Sequence, residues 1–138
     1  MTTPKNKGAA HSILRKLWAN RPEAEAGRVI VDFLAEHTDA AHISFAQLFD
    51  VAWQAKIKDQ AAVLNIVNYL TGGDLNLLKT GFEYIDDEII QPLDIEQVRA
   101  AKYQKINPLT GDEDADVGKK IFMFFMPSEL AKTVLVAE

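Results

Sequence analysis

Apolar residues recur at three- and four-residue spacing through the first half of the chain and at closer spacing after it. The first rhythm buries one face of a helix, and alternation buries one face of a strand. Residues 1–10, with Pro4, Gly8 and several polar residues, read as a disordered lead-in. From His11 to Ala19, Ile13, Leu14, Leu17 and Trp18 share a helical face opposite Arg15 and Lys16. Asn20 ends that short helix. Pro22 suits a first helical position, because its missing N–H has no partner there anyway. A helix over about 22–37 follows, striped by Ala26, Val29, Ile30, Phe33 and Leu34, with Glu23 and Glu25 at the favourable end of its dipole.

Ser44-Phe45-Ala46-Gln47 has the form of a capping box, in which Ser accepts from the third helical amide and Gln reaches back. The helix it opens carries Phe45, Leu48, Phe49, Ala52 and Trp53 on one face. Ile57-Lys58 makes a tight connection to a helix over about 60–71, capped by Asp59 and striped by Val63, Ile66, Val67 and Leu70. Thr71-Gly72-Gly73-Asp74 stops it, with Gly in a left-handed turn. Leu75 to Ile85 is partly alternating, Asp86-Asp87-Glu88 is a turn, and Ile89-Ile90-Gln91 returns as a strand that Pro92 ends or confines to an edge. Asp94 caps a helix over about 95–104, with Gln97 at its third position. The run Ile121-Phe122-Met123-Phe124-Phe125-Met126 predicts a strand buried on both faces, stopped by Pro127. Ser128 caps a last helix, about 129–136. There is no internal repeat and no low-complexity stretch.

Three helices followed by a hairpin, over roughly residues 22–91, resemble the winged-helix order. The helix from Ser44, the Ile57-Lys58 connection, the helix from Gln60 and the hairpin at Asp86-Asp87-Glu88 carry the resemblance. It is one of pattern at the level of fold, with no named family attached. It implies an α+β domain over 22–138, with a three-helix core, a small antiparallel sheet and additional C-terminal helices, preceded by a basic arm over 1–21. It also implies that the helix over 60–71 stands where DNA-binding members place their recognition helix, with the hairpin along the backbone.

The chain has 138 residues, 48% of them hydrophobic and 25% charged, which suits one globular core. It has no cysteine, which excludes disulfides, a thiol nucleophile and Cys-ligated zinc or iron–sulfur centres. No apolar run approaches the roughly 20 residues that span a bilayer. The polar start lacks the apolar segment of a secretory signal, so the expected location is the cytoplasm. The net charge of −5 is uneven: residues 1–28 carry six basic and two acidic groups, and residues 29–138 carry nine and eighteen.

That placement bears on nucleic acid, since affinity for DNA comes mainly from Lys and Arg at phosphates. Between Asp59 and Asp74 there is neither. Gln60, Asn65 and Asn68 can read base edges, but only Lys56 and Lys58 frame them. Phosphate contacts from Lys5, Lys7, Arg15 and Lys16 depend on the arm folding back, and the hairpin tip is acidic. The expectation is therefore a non-catalytic, protein-binding adaptor or assembly subunit, with a DNA-binding regulator as the alternative. Leu14, Leu17 and Trp18 are the candidate partner-binding residues. A short amphipathic helix cannot bury itself; it either packs back on the domain or docks on a second chain, as in a homodimer.

Enzymatic chemistry has little support. His37, Asp39 and His42 flank a loop without metal-motif spacing. Asp112-Glu113-Asp114-Ala115-Asp116-Val117-Gly118 faintly resembles a calcium loop, yet Gly stands one place late and Met123 occupies the position of the bidentate Glu. Glu83 and Asp86-Asp87-Glu88 are close in sequence, with no apolar pocket to separate an acid from a base. Ser12, Ser44 and Ser128 lie in loops or caps, outside any Gly-x-Ser-x-Gly setting. No catalytic residue, metal ligand or cofactor is expected, and a small metal-dependent enzyme is the weakest reading.

Overall fold

Four helices, a hairpin, a fifth helix, a third strand and a sixth helix follow one another along the chain. The computed structural model describes residues 4–72 and 75–135. The helices are α1 (Lys7–Trp18), α2 (Pro22–Glu36), α3 (Phe45–Gln54), α4 (Gln60–Thr71), α5 (Ile95–Gln104) and α6 (Glu129–Val134). The strands are β1 (Leu78–Asp86), β2 (Ile89–Leu93) and β3 (Ile121–Pro127), and a short 3-10 helix spans Val117–Lys120. The three strands form one antiparallel sheet in the order β2-β1-β3, so the class is α+β.

Caps account for most boundaries. Both capping boxes form: Ser44 with Gln47 on α3, and Asp94 with Gln97 on α5. Asp59 accepts from Ala62 N at 3.2 Å and opens α4. The lead-in is shorter than the sequence predicts. Asn6 accepts from Ala9 N at 2.8 Å and starts α1 at Lys7, so Ala10 lies fully buried. Helix α4 closes at Gly72 with φ −80°, extended rather than left-handed; Gly73 and Asp74, assigned to the same stop, lie outside the described residues.

The chain divides into two compact units, residues 1–79 with 125–138 and residues 80–124. The first holds the apolar core. Leu14, Ile30, Leu34, Leu48, Ile66, Leu70, Leu77 and Phe125 are all at most 1% exposed. Helices α1 and α4 both close on α2 at Gly27: a Cβ there would lie 2.8 Å from Leu14 Cδ1 and 3.1 Å from Ile66 Cδ1. The C-terminal segment completes this unit. Phe125 and Ile43 exchange backbone hydrogen bonds at 2.7 and 2.8 Å, and Ser128 Oγ donates to Asn76 O at 2.6 Å while capping α6.

The second unit has few buried apolar side chains, Tyr84, Ala101, Val117 and Phe124. A polar hub holds it. The buried Asn107 amide donates to Tyr84 Oη and to Asp114 Oδ2, both at 3.1 Å, and its oxygen accepts from Leu109 N at 2.8 Å. Tyr84 donates to Asp86 at 3.1 Å, and Lys120 Nζ lies 2.9 Å from Asp114 and 3.6 Å from Asp86. The five side chains form a closed ring. In the hairpin Asp86 pairs with Ile89, and Asp87 takes φ 53° in the turn between them. Strand β3 is not buried on both faces, as the apolar run predicts: Phe122 and Met123 are exposed while Phe124 and Phe125 are covered. An apolar run marks a strand without saying which faces are covered.

Two substitutions test the second unit. The Phe124 ring fills the space where a Gly81 Cβ would stand, at 2.5 Å. Gly81→Ala should therefore cost about 1–3 kcal/mol in urea unfolding, as overpacking does. Asn107→Ala removes the hydrogen bonds to Tyr84, Asp114, Leu109 N and Thr110 N and should cost about 2–4 kcal/mol.

Candidate interaction surfaces

Helix α4 turns Val63, Ile66, Val67 and Leu70 into the core and leaves Gln60, Ala61, Leu64, Asn65 and Asn68 outside. That outer face carries no charge. Asn65, one of the candidate base readers, is engaged within the protein: its amide donates to Glu23 Oε2 at 2.9 Å. Glu23 is 3% exposed and also meets Arg21 at 3.4 Å. The Asn65 hydrogen bond is the main influence holding the Glu23 carboxyl below its ordinary value; burial opposes it and Arg21 adds a smaller pull. Of the framing lysines, Lys58 lies 5.1 Å over the Trp53 ring, and Lys56 is exposed with φ 67°.

The basic residues near the N-terminus meet carboxylates of α2. A groove of about 390 Å³ is lined by His11, Arg15, Arg21, Glu25 and Arg28, among others. Arg21 pairs with Glu23, Arg28 with Glu25 and with Asp32, and His11 Nε2 lies 2.9 Å from Asp32 Oδ1. Lys7 reaches Asp32 at 3.7 Å. Of the three arginines that line the groove, Arg21 and Arg28 are engaged by carboxylates. Arg15, Lys5 and Lys16 are exposed and make no ion pair among the described residues.

Helix α1 packs back on its own bundle, the first of its two alternatives. Leu14 is 1% exposed within the core, and Trp18 meets Tyr69 edge to face at 5.1 Å. Of the three candidate partner-binding residues, Leu17 alone stays exposed.

The exposed apolar side chains lie mostly elsewhere. Among the described residues nine large ones are exposed, and six belong to residues 80–124: Ile89, Ile90, Ile95, Tyr103, Phe122 and Met123. Sequence reasoning passed over all six. The edge signal of Pro92 beside Ile89-Ile90 was present, but exposure at Phe122 depends on what covers the sheet. The same unit carries the whole net charge. Residues 80–124 hold ten acidic and five basic groups, and the other unit ten of each.

His37 donates from Nδ1 to Phe33 O at 2.8 Å and stacks on the Phe33 ring. Among the described residues no group of three or more His, Asp or Glu is placed to hold a metal ion. In the acidic loop Asp114 faces Asn107 and Lys120, while Asp112, Glu113 and Asp116 point to solvent. No helix among the described residues is long and apolar enough to cross a membrane.

The Glu23 arrangement has a pH signature. A carboxyl whose folded value is depressed contributes stability in full above its ordinary value, here 4.5, and loses it as the pH falls through the lower folded value. Urea midpoints should therefore drop more steeply below about pH 4.5 in the parent protein than in Glu23→Gln; parallel curves would contradict the assignment. Comparison with known proteins finds no matching family model, curated protein or solved structure.

Proposed function

We propose that this chain is a non-catalytic protein-binding module on a winged-helix-like frame, acting as an adaptor or assembly subunit. The order α2, α3, α4 and then the β1–β2 hairpin supports the frame. The observation that carries the function is the concentration of exposed apolar side chains in residues 80–124, six of nine among the described residues. Exposed apolar clusters with a polar rim are a common mark of protein contact.

A DNA-binding regulator is the second reading. It draws on Arg15, Lys5 and Lys16, which make no ion pair among the described residues. Against it stand the uncharged outer face of α4, the tie between Asn65 and Glu23, and the carboxylates of the Asp86-Asp87-Glu88 tip.

Fluorescence anisotropy with random duplex DNA at low salt separates the two. The module reading expects no saturable binding. Binding that weakens with salt at a slope of about −0.9 per phosphate, and that Arg15→Ala with Lys16→Ala reduces, would establish the regulator instead. A positive test compares affinity capture from an extract of the producing cells, using the parent protein and Ile90→Asp. The module reading expects at least one protein to be lost with the variant.

A further inference from the structure

Two-residue alternation sorts the side chains of the sheet between its faces. Gly81, Glu83 and Ile85 of β1 share one face, and their register partners place Ile90 and Pro92 of β2 on it, opposite Ile85 and Glu83. The Phe124 ring lies over Gly81, so Phe124 and Phe122 of β3 share that face too. Tyr84 is on the opposite face, where it joins the Asn107 ring. The first face leaves Ile90 at 65% and Phe122 at 47% exposure, with Pro92 exposed as well.

The free edge of β2 is closed to strand addition. Asp86 and Ile89 flank a two-residue turn, which makes them a hydrogen-bonded pair. Alternation then makes Tyr84 with Gln91 hydrogen-bonded and Glu83 with Pro92 not. The backbone of residues 90 and 92 therefore points outward. Proline has no N–H, so that edge offers one donor, at Ile90. A partner has to bind the face through side chains, and a helix laid across a sheet is the ordinary way to cover one.

Charge selects the partner. The unit that presents this face carries −5, and the exposed carboxylates of Asp87 and Glu88 lie at the end of the hairpin, while Glu83 on the face is itself buried. A second copy would set two such units against each other. We infer that the sheet face marked by Ile85, Ile90, Pro92 and Phe122 docks a cationic amphipathic helix of a partner protein. This rests on the module reading, and it adds the face, the secondary structure and the sign of the partner.

The test uses the full chain and two synthetic amphipathic peptides of about 18 residues, long enough to form helices, one of Leu and Lys and one of Leu and Glu. Isothermal titration should show the Leu/Lys peptide binding one-to-one. Ile90→Asp and Phe122→Asp should each weaken it by about tenfold or more, while Tyr103→Ser and Trp53→Ser leave it unchanged. The Leu/Glu peptide should bind at least about tenfold more weakly. Both Asp variants alter exposed side chains, and matching circular dichroism and melting curves verify that they fold. Loss in the Tyr103 or Trp53 variant alone moves the site and overturns the inference while the module reading stands. Equal binding of the two peptides, or binding of neither, also overturns it. Concentration-dependent dimers abolished by Ile90→Asp in a sedimentation run would overturn it in favour of a second copy. The module reading itself falls only with the duplex-binding and capture experiments.

Discussion

The amide of Asn107 is the point on which residues 80–124 depend. This unit buries too little apolar surface to hold its long loop by hydrophobic contact alone. Asn107 instead ties β1, through Tyr84, to the acidic loop, through Asp114, and Lys120 closes the ring back to Asp86. Each polar group in the ring is matched, which is what makes a polar interior tolerable. The Lys120 hydrogen bond is the largest of the influences that keep the Asp114 carboxyl below its ordinary range. With the loop held on one side of the sheet, apolar side chains remain exposed on the other.

Residues 1–79 and 125–138 follow the opposite economy. Their core is aliphatic, and the close approach at Gly27 brings three helices together. Their charges balance, and Lys7, Arg21 and Arg28 are engaged by carboxylates of α2. One unit carries no net charge. The other is acidic, with apolar side chains on view. That division gives the overall charge of −5 its meaning, and it is not the boundary at residue 28 that the linear charge pattern suggests.

What could be read from the sequence was what is decided locally. Ser44 with Gln47 and Asp94 with Gln97 sit three residues apart, so cap and helix start appear together in the text of the chain. The turn at Asp87 and the edge position of Pro92 are likewise short-range matters. The readings that failed depend on distant partners. The start of α1 was hidden because Ala9 and Ala10 give little periodic signal until Leu14 packs against α2. The role of Asp114 was hidden because Tyr84 stands 23 residues from Asn107. Asn65 looked available because nothing near it in sequence announces Glu23, 42 residues away. Burial on both faces of β3 was expected from composition, whereas exposure of Phe122 is a property of the finished sheet.

The path of the backbone gives the two units different histories. Asn76 and Ser128 are 52 residues apart in sequence and meet within one unit, while everything from Thr80 to Phe124 is contiguous. On a ribosome the acidic unit emerges whole while the helical one still lacks Phe125, Ser128 and Leu135. The apolar interior of the helical unit is complete only with Phe125 and Leu135 in place. Closing so long a loop is slow compared with forming any of the helices. Completing the helical unit therefore closes a long loop, whereas the polar ring around Asn107 closes within one contiguous segment.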